Sequence, residues 1–278
     1  MVRPMHPFHR TELLVGADGF DALAAAHFCV VGLGGVGAQA AESLARCGVG
    51  HLTLVEFDKV CVTNVNRQVH ATRKTVGDAK VELMAARISA IHPKCDVRAL
   101  PWFYEASTSE TILDRPFTWI LDCIDNMTAK LHLLETARRA ERPIVSAMGA
   151  GGRLDPLRVR VDPLSATAGD PFARIVREQL RARGVPLDIP VVWTDELPND
   201  LDPDAKASFR CICPGKDENT KHSCEKRFQV QGSVSFVPGV FGMVMAGYVV
   251  NSVLGRPIGR PEPKPRRMAP SRRAAAPS

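Results

Sequence analysis

Residues 27–47 read His27-Phe-Cys-Val-Val-Gly32-Leu-Gly34-Gly35-Val-Gly37-Ala-Gln-Ala-Ala-Glu-Ser-Leu-Ala-Arg-Cys47, and this stretch decides the fold. A short apolar, β-favouring run leads straight into a G-x-G-x-x-G turn at Gly32, Gly34 and Gly37. From Ala38 to Cys47 the composition changes to strong helix formers, with Gly48 placed to cap them. Leu52-Thr-Leu-Val-Glu56 follows as a second strand, so the segment opens a βαβ unit. Glycines in such a turn let the backbone approach a phosphate. The helix start behind them offers unpaired N–H groups and the positive end of its dipole. A tight turn without a ligand remains the alternative on these residues alone.

The alternation continues outward. Residues 80–91 read as a helix ended before Pro93, 96–100 and 119–124 as strands, 128–141 as a helix and 143–146 as a strand. Beyond the glycine-rich 149–152, strands are expected at 158–161 and 191–194 with a charged helix over 171–183 between them. The pattern predicts an α/β fold: a Rossmann-like, doubly wound, mostly parallel sheet with helices on both faces, plus a smaller C-terminal substrate-side region. The expected divisions are a helical arm over 1–27, an ATP-binding domain over 28–150, a substrate and dimer region over 151–255 that completes the same domain, and a tail over 256–278.

The 278 residues are 45% hydrophobic and 24% charged, enough for a sizeable core. The net charge of +6 is local: residues 256–278 hold seven basic side chains against Glu262 alone, with six prolines. The other 255 residues carry 29 charges of each sign. Such a tail is expected to be disordered, serving either to grip phosphates loosely or only to solubilise. The first ten residues contain no apolar signal core, so a cytoplasmic location is expected. Eight cysteines then argue for thiols or a metal site over a disulfide framework. Residues 234–254 are nearly all apolar, but a helix begun at Pro238 has roughly 16 residues and about 24 Å, less than a membrane span requires. A buried core helix is expected there.

Chemistry-bearing residues cluster around the glycine turn. Glu56 or Asp58, at the end of the second strand, is placed to accept from ribose hydroxyls. Asn66, Arg67 and Gln68 put two amides and a guanidinium just beyond it, a set suited to phosphate oxygens; a solvated turn is the alternative. Lys80 opens a helix where the dipole disfavours a cation unless an anion lies beside it. Asp125 and Asn126 follow the fourth strand at the sheet edge where doubly wound folds bind ligands. Asp125 can hold Mg²⁺ beside phosphates, or cap the helix that follows.

In combination these residues resemble the ubiquitin-activating-like ThiF/MoeB proteins. Gly32-x-Gly34-Gly35-Val-Gly37, Glu56-Phe-Asp58, Thr63-Asn-Val-Asn-Arg-Gln68, Gly77-x-x-Lys80 and Asp122-x-x-Asp125 fall in that family's order. Arg10-Thr-Glu-Leu-Leu-Val-Gly16, Asn66-Arg-Gln-Val-His-Ala71, residues 146–156, Asp170-Pro171, Trp193-Thr-Asp-Glu-Leu-Pro198 and residues 236–247 are similar to its tRNA threonylcarbamoyladenosine dehydratase branch. The resemblance implies ATP and Mg²⁺ as cofactors, and Asp125, Lys80 and Arg67 as the catalytic set. It also implies a tRNA substrate in which the threonylcarbamoyl group on adenosine 37 is adenylated and then closed into a ring. A homodimer, with Arg10 passed to the partner's ATP, and a cysteine desulfurase or sulfur-acceptor system are further implications.

Cys211, Cys213 and Cys224, with His222 nearby, depart from the double C-x-x-C zinc pattern of ThiF and MoeB, leaving a metal site, free thiols or a sulfur-carrying role open. Cys29 and Cys123 are expected in the core, and Cys61 buried near the nucleotide. The other functions to weigh are adenylation of a ubiquitin-like sulfur carrier, a non-catalytic nucleotide-binding scaffold, and an NAD-dependent oxidoreductase.

Overall fold

The computed structural model describes residues 5–208 and 231–256. Along the chain run α1 (His9–Ala25), β1 (His27–Val31), α2 (Gly37–Arg46), β2 (His51–Val55), α3 (Lys80–Ile91), β3 (Asp96–Leu100), α4 (Ala106–Ile112) and β4 (Trp119–Asp122). Then come α5 (Met127–Arg139), β5 (Ile144–Ala147), β6 (Val159–Pro163), α6 (Pro171–Ala182), β7 (Pro190–Thr194), α7 (Pro203–Ser208) and α8 (Phe236–Val253). One seven-stranded sheet has the order β3-β2-β1-β4-β5-β7-β6. Every pairing is parallel except that of β6 with β7. The chain leaves β1 toward β2 on one side and returns to β4 on the other, so a topological switch point lies between β1 and β4.

Strand alternation builds two cores. Phe28, Val30, Leu52, Leu54, Leu121, Val145 and Val192 face α2, α3 and α8. Cys29, Val31, Val55, Ile120, Ile144, Val191 and Trp193 face α4, α5 and α6. The period-2 pattern of each strand thus fills both faces, as a doubly wound sheet requires. Both layers stand on the same sheet, and β6 and β7 extend it past residue 151.

The apolar C-terminal segment is α8, which begins at Phe236, two residues before Pro238. Its 18 residues span about 27 Å, and by length and composition it is the candidate membrane helix among the described residues. It packs as a core helix: Val237, Phe241, Met245 and Val249 are fully buried. Gly242 makes this possible, since a Cβ there would stand 2.3 Å from the Val36 carbonyl oxygen of the α2 entry.

Other differences have local causes. α4 was not expected because Ala-Ser-Thr-Ser-Glu-Thr-Ile lacks an apolar helical stripe. It is fixed by a reciprocal cap in which the Glu105 N–H donates to Thr108 Oγ1 at 3.0 Å. α1 runs through Gly16, which takes φ 81° and kinks it. The Cys211, Cys213, His222 and Cys224 cluster, and the tail beyond residue 256, lie outside the described residues.

Candidate nucleotide site

Val31 and Asp122 are register partners at the C-terminal ends of β1 and β4, so the turns leaving both strands meet at the switch point. Gly32 takes φ 92°, and a Cβ on it would lie 2.8 Å from the Cys123 carbonyl oxygen. A Cβ on Gly37 would lie 1.8 Å from the Gly32 carbonyl oxygen. Only glycine closes this turn. At Gly34 the same position meets nothing within 4 Å, so the turn presents bare backbone to open space. No side chain caps α2, whose N-cap is Val36. Open backbone ahead of an uncapped helix start suits a phosphate group.

The second strand end braces this turn. Buried Glu56 accepts from the Leu33 N–H at 2.9 Å through Oε2 and from the Asp58 N–H at 2.9 Å through Oε1. Both carboxylate oxygens therefore already hold backbone, and Glu56 serves the turn before any ribose. Asp58 in turn pairs with Lys80, whose Nζ donates to Oδ2 at 3.2 Å. Asp58, and not only a triphosphate as expected, thus offsets the dipole penalty at the start of α3. Lys80 is buried.

Arg67 lies against the glycine turn, its Cγ 3.4 Å from where a Gly35 Cβ would be. Its Nη1 donates to the Thr63 carbonyl and to Asn66 Oδ1, each at 2.9 Å. Exposed Asn66 donates to the Ser233 carbonyl at 2.9 Å, tying the segment to the entry of α8. Gln68 is buried with its Oε1 unpartnered among the described residues. Two residues on, His70 is buried with neither ring nitrogen hydrogen-bonded among the described residues. Burial, reinforced by the charges of Lys80 and Arg87, pushes its pKa down to about 4.

Asp125 is exposed on the β4–α5 turn. The cap of α5 is Asn126, whose Oδ1 accepts from the Ala129 N–H at 3.0 Å. The capping role that competed for Asp125 therefore belongs to its neighbour. Below the turn lies a group whose Asp122 and Ser146 fall within the sequence motifs but whose Lys130 was not singled out from sequence. Asp122 and Lys130 are both fully buried, 2.5 Å apart. Lys130 also donates to Ser146 Oγ at 3.1 Å and to the Ala147 carbonyl at 3.0 Å. Ser146 donates to Asp122 Oδ2 at 2.6 Å, and Asp122 Oδ1 accepts from the Ile124 N–H at 3.1 Å. A lone aspartate closing an apolar strand was the available signal.

Arg10 is not brought to this site. It is exposed in the first turn of α1. Phe8, two residues before it, meets His92 edge-on beyond the end of α3 and lies by Gly48 past the C-terminal end of α2, the end of that helix away from the glycine turn. Cys29 is buried, and burial raises its pKa to about 12; burial raises Cys123 as well. Cys61, expected to be buried, is half-buried, while Cys29, Cys47, Cys95 and Cys123 are free.

Comparisons with known proteins agree with this fold. A tRNA threonylcarbamoyladenosine dehydratase of Bacillus subtilis is 40% identical over 250 residues, 90% of this chain and 95% of that protein. The Escherichia coli enzyme of the same name, solved with ATP, superposes with a TM-score of 0.76 at 33% identity, covering 90% of this chain and 94% of its own. A molybdopterin-synthase adenylyltransferase of Salmonella typhimurium is 35% identical over 150 residues, 53% of this chain and 59% of that protein. The ThiF family pattern matches residues 8–273. With the glycine turn, its glutamate brace and the switch-point aspartates in place, the chain belongs to the ThiF family.

Proposed function

We propose that this chain is an ATP-dependent tRNA threonylcarbamoyladenosine dehydratase working through an acyl-adenylate. The reading is supported by the bare glycine turn with Arg67 packed against it and by the Asp58–Lys80 pair next to the Glu56 brace, in a chain that matches a dehydratase over nearly the full length of both.

In this reading the glycine turn and the start of α2 take phosphate oxygens, and Arg67 forks onto others. The substrate carboxylate oxygen attacks the α-phosphorus, the bond to the β-phosphate breaks, and pyrophosphate leaves with the electron pair. Lys80 is assigned to the charge that builds on the phosphates, and its ion pair with Asp58 holds the ammonium in place. The group's own carbamoyl then attacks the activated carbonyl carbon. AMP leaves, a proton passes to solvent, and the net change is loss of one water. The second nucleophile is intramolecular, so proximity supplies much of the acceleration without a catalytic cysteine. Asp125 is the residue for Mg²⁺, which when bound would neutralise phosphate charge. The reading extends to a cytoplasmic homodimer in which Arg10 serves the partner's nucleotide.

The test combines purified protein, Mg-ATP and tRNA bearing threonylcarbamoyladenosine, with nucleosides weighed and pyrophosphate measured. The nucleoside should lose one water, and Asp125→Ala should slow pyrophosphate release by about 100-fold or more. An unchanged nucleoside, with ATP consumed only when a sulfur-carrier protein is supplied, would move the assignment to the MoeB-like reaction.

A further inference from the structure

We infer that Lys130 is a positioning residue for the turn that carries Asp125, acting through Asp122 and the Ile124 N–H. The inference rests on the function proposed above.

A lysine with no exposed surface loses hydration worth several kcal/mol, and so does its aspartate. Their attraction roughly offsets that loss, so a buried pair of this kind is a weak source of stability compared with apolar side chains of the same volume. What the pair supplies is geometry. All three ammonium protons have assigned acceptors: Asp122 at the end of β4, Ser146 Oγ in β5 and the Ala147 carbonyl at its end. Lys130 itself projects from the first turn of α5, and its Nζ stands 5.9 Å from the centroid of Phe172 in α6. One ammonium thus fixes the ends of two adjacent strands against the helix that starts between them.

The fixing reaches the turn directly. Asp122 Oδ2 is occupied by Lys130 and Ser146, and Oδ1 accepts from the Ile124 N–H, the peptide next to Asp125. The carboxylate plane is therefore set at both ends. If the Lys130 contact is removed, Asp122 is free to rotate and the Ile124 peptide loses its anchor. Asn126, one residue beyond Asp125, is held independently by its cap to Ala129. Loosening should therefore fall on the Ile124–Asp125 peptide more than on α5. Misplacement of a reacting group by about 1 Å can cost 100-fold in rate without loss of binding.

The experiment measures kcat and KM for ATP in pyrophosphate release with the tRNA substrate, alongside far-UV circular dichroism. The variants are Asp122→Asn/Lys130→Met, which leaves no buried charge, and Ser146→Ala, which removes one oxygen and keeps the ion pair. In the folded double variant, kcat should fall at least about tenfold with KM for ATP changed less than about twofold. Ser146→Ala should lower kcat about threefold, again without a KM change. Combined with Asp125→Asn, Ser146→Ala should add no further loss, because both act on the same group. Unchanged kcat in Ser146→Ala, or losses that multiply with Asp125→Asn, would overturn the inference even if the larger variant does not fold. A wild-type protein that releases no pyrophosphate would instead fail the proposed function.

Discussion

At the residue scale, His70 gives the sharpest electrostatic prediction. Unfolded, its imidazole titrates near the ordinary 6.5; folded, burial and the nearby cations hold it at about 4. Between those values the unfolded chain binds the extra proton, so stability is full above pH 6.5 and declines as pH falls toward 4. The loss from this group reaches about 3 kcal/mol at the low end. His70→Leu should flatten that limb of a plot of Tm against pH; a variant as acid-sensitive as the wild type would refute the assignment. Gly37 gives a steric counterpart. An alanine Cβ 1.8 Å from the Gly32 carbonyl cannot be relieved by moving a flexible side chain, because the obstacle is backbone. Gly37→Ala should open the turn and abolish ATP binding in an equilibrium titration, whereas Gly34→Ala, which meets nothing within 4 Å of backbone or side chain, should fold normally. How residues could be read from the chain differs accordingly. The glycines were legible because their spacing encodes backbone geometry. Glu56 was legible as a strand-end acid but not in its occupation, since Leu33 is brought to it only by how β1 and β2 pair.

At the scale of elements, the contact between α2 and α8 links packing to the nucleotide turn. Gly242 lets α8 approach the Val36 carbonyl and Ala40 N–H, and Pro238 stands 3.1 Å from where a Gly35 Cβ would be. α8 is therefore the back wall of the glycine turn. Gly242→Val should force the helices apart, costing about 1–3 kcal/mol as overpacking does, and should weaken ATP binding as well, because the displaced atoms belong to the entry of α2. Chemical denaturation and nucleotide titration on the same sample check this; lost stability with unaltered affinity would separate the two. Strands β1, β2, β4 and β5 were legible because parallel, doubly buried strands read as short apolar runs bounded by turn residues. Helix α8 was legible as apolar but misplaced at its start, since Pro238 is tolerated within a first turn whose N–H groups need no partner. Helix α4 was not legible, because a cap and not an apolar stripe defines it. The Asp122–Lys130–Ser146 network was invisible for another reason: its members are eight and sixteen residues apart along the chain, and only the parallel register of β4 and β5 makes them neighbours.

At the scale of the whole molecule, charge is distributed unevenly. The +6 net charge resides in residues 256–278, and the remaining chain is formally neutral. A formally neutral body offers little general attraction for a polyanion, so the two expected roles of the tail, gripping phosphates or only solubilising, differ in their salt dependence. Each phosphate neutralised by the tail adds about 0.7–0.9 to the steepness of log K against log salt. A chain ending at residue 255 should therefore bind tRNA with a markedly shallower salt dependence, and more weakly at low ionic strength. Its ATP affinity should be unchanged, because Arg67, Lys80 and the glycine turn lie in the body. At high salt, where screening removes the tail's contribution, the full and shortened chains should converge in KM for tRNA. Equal salt slopes in the two proteins would place the RNA contacts on the folded body instead, and would give the tail no part in binding.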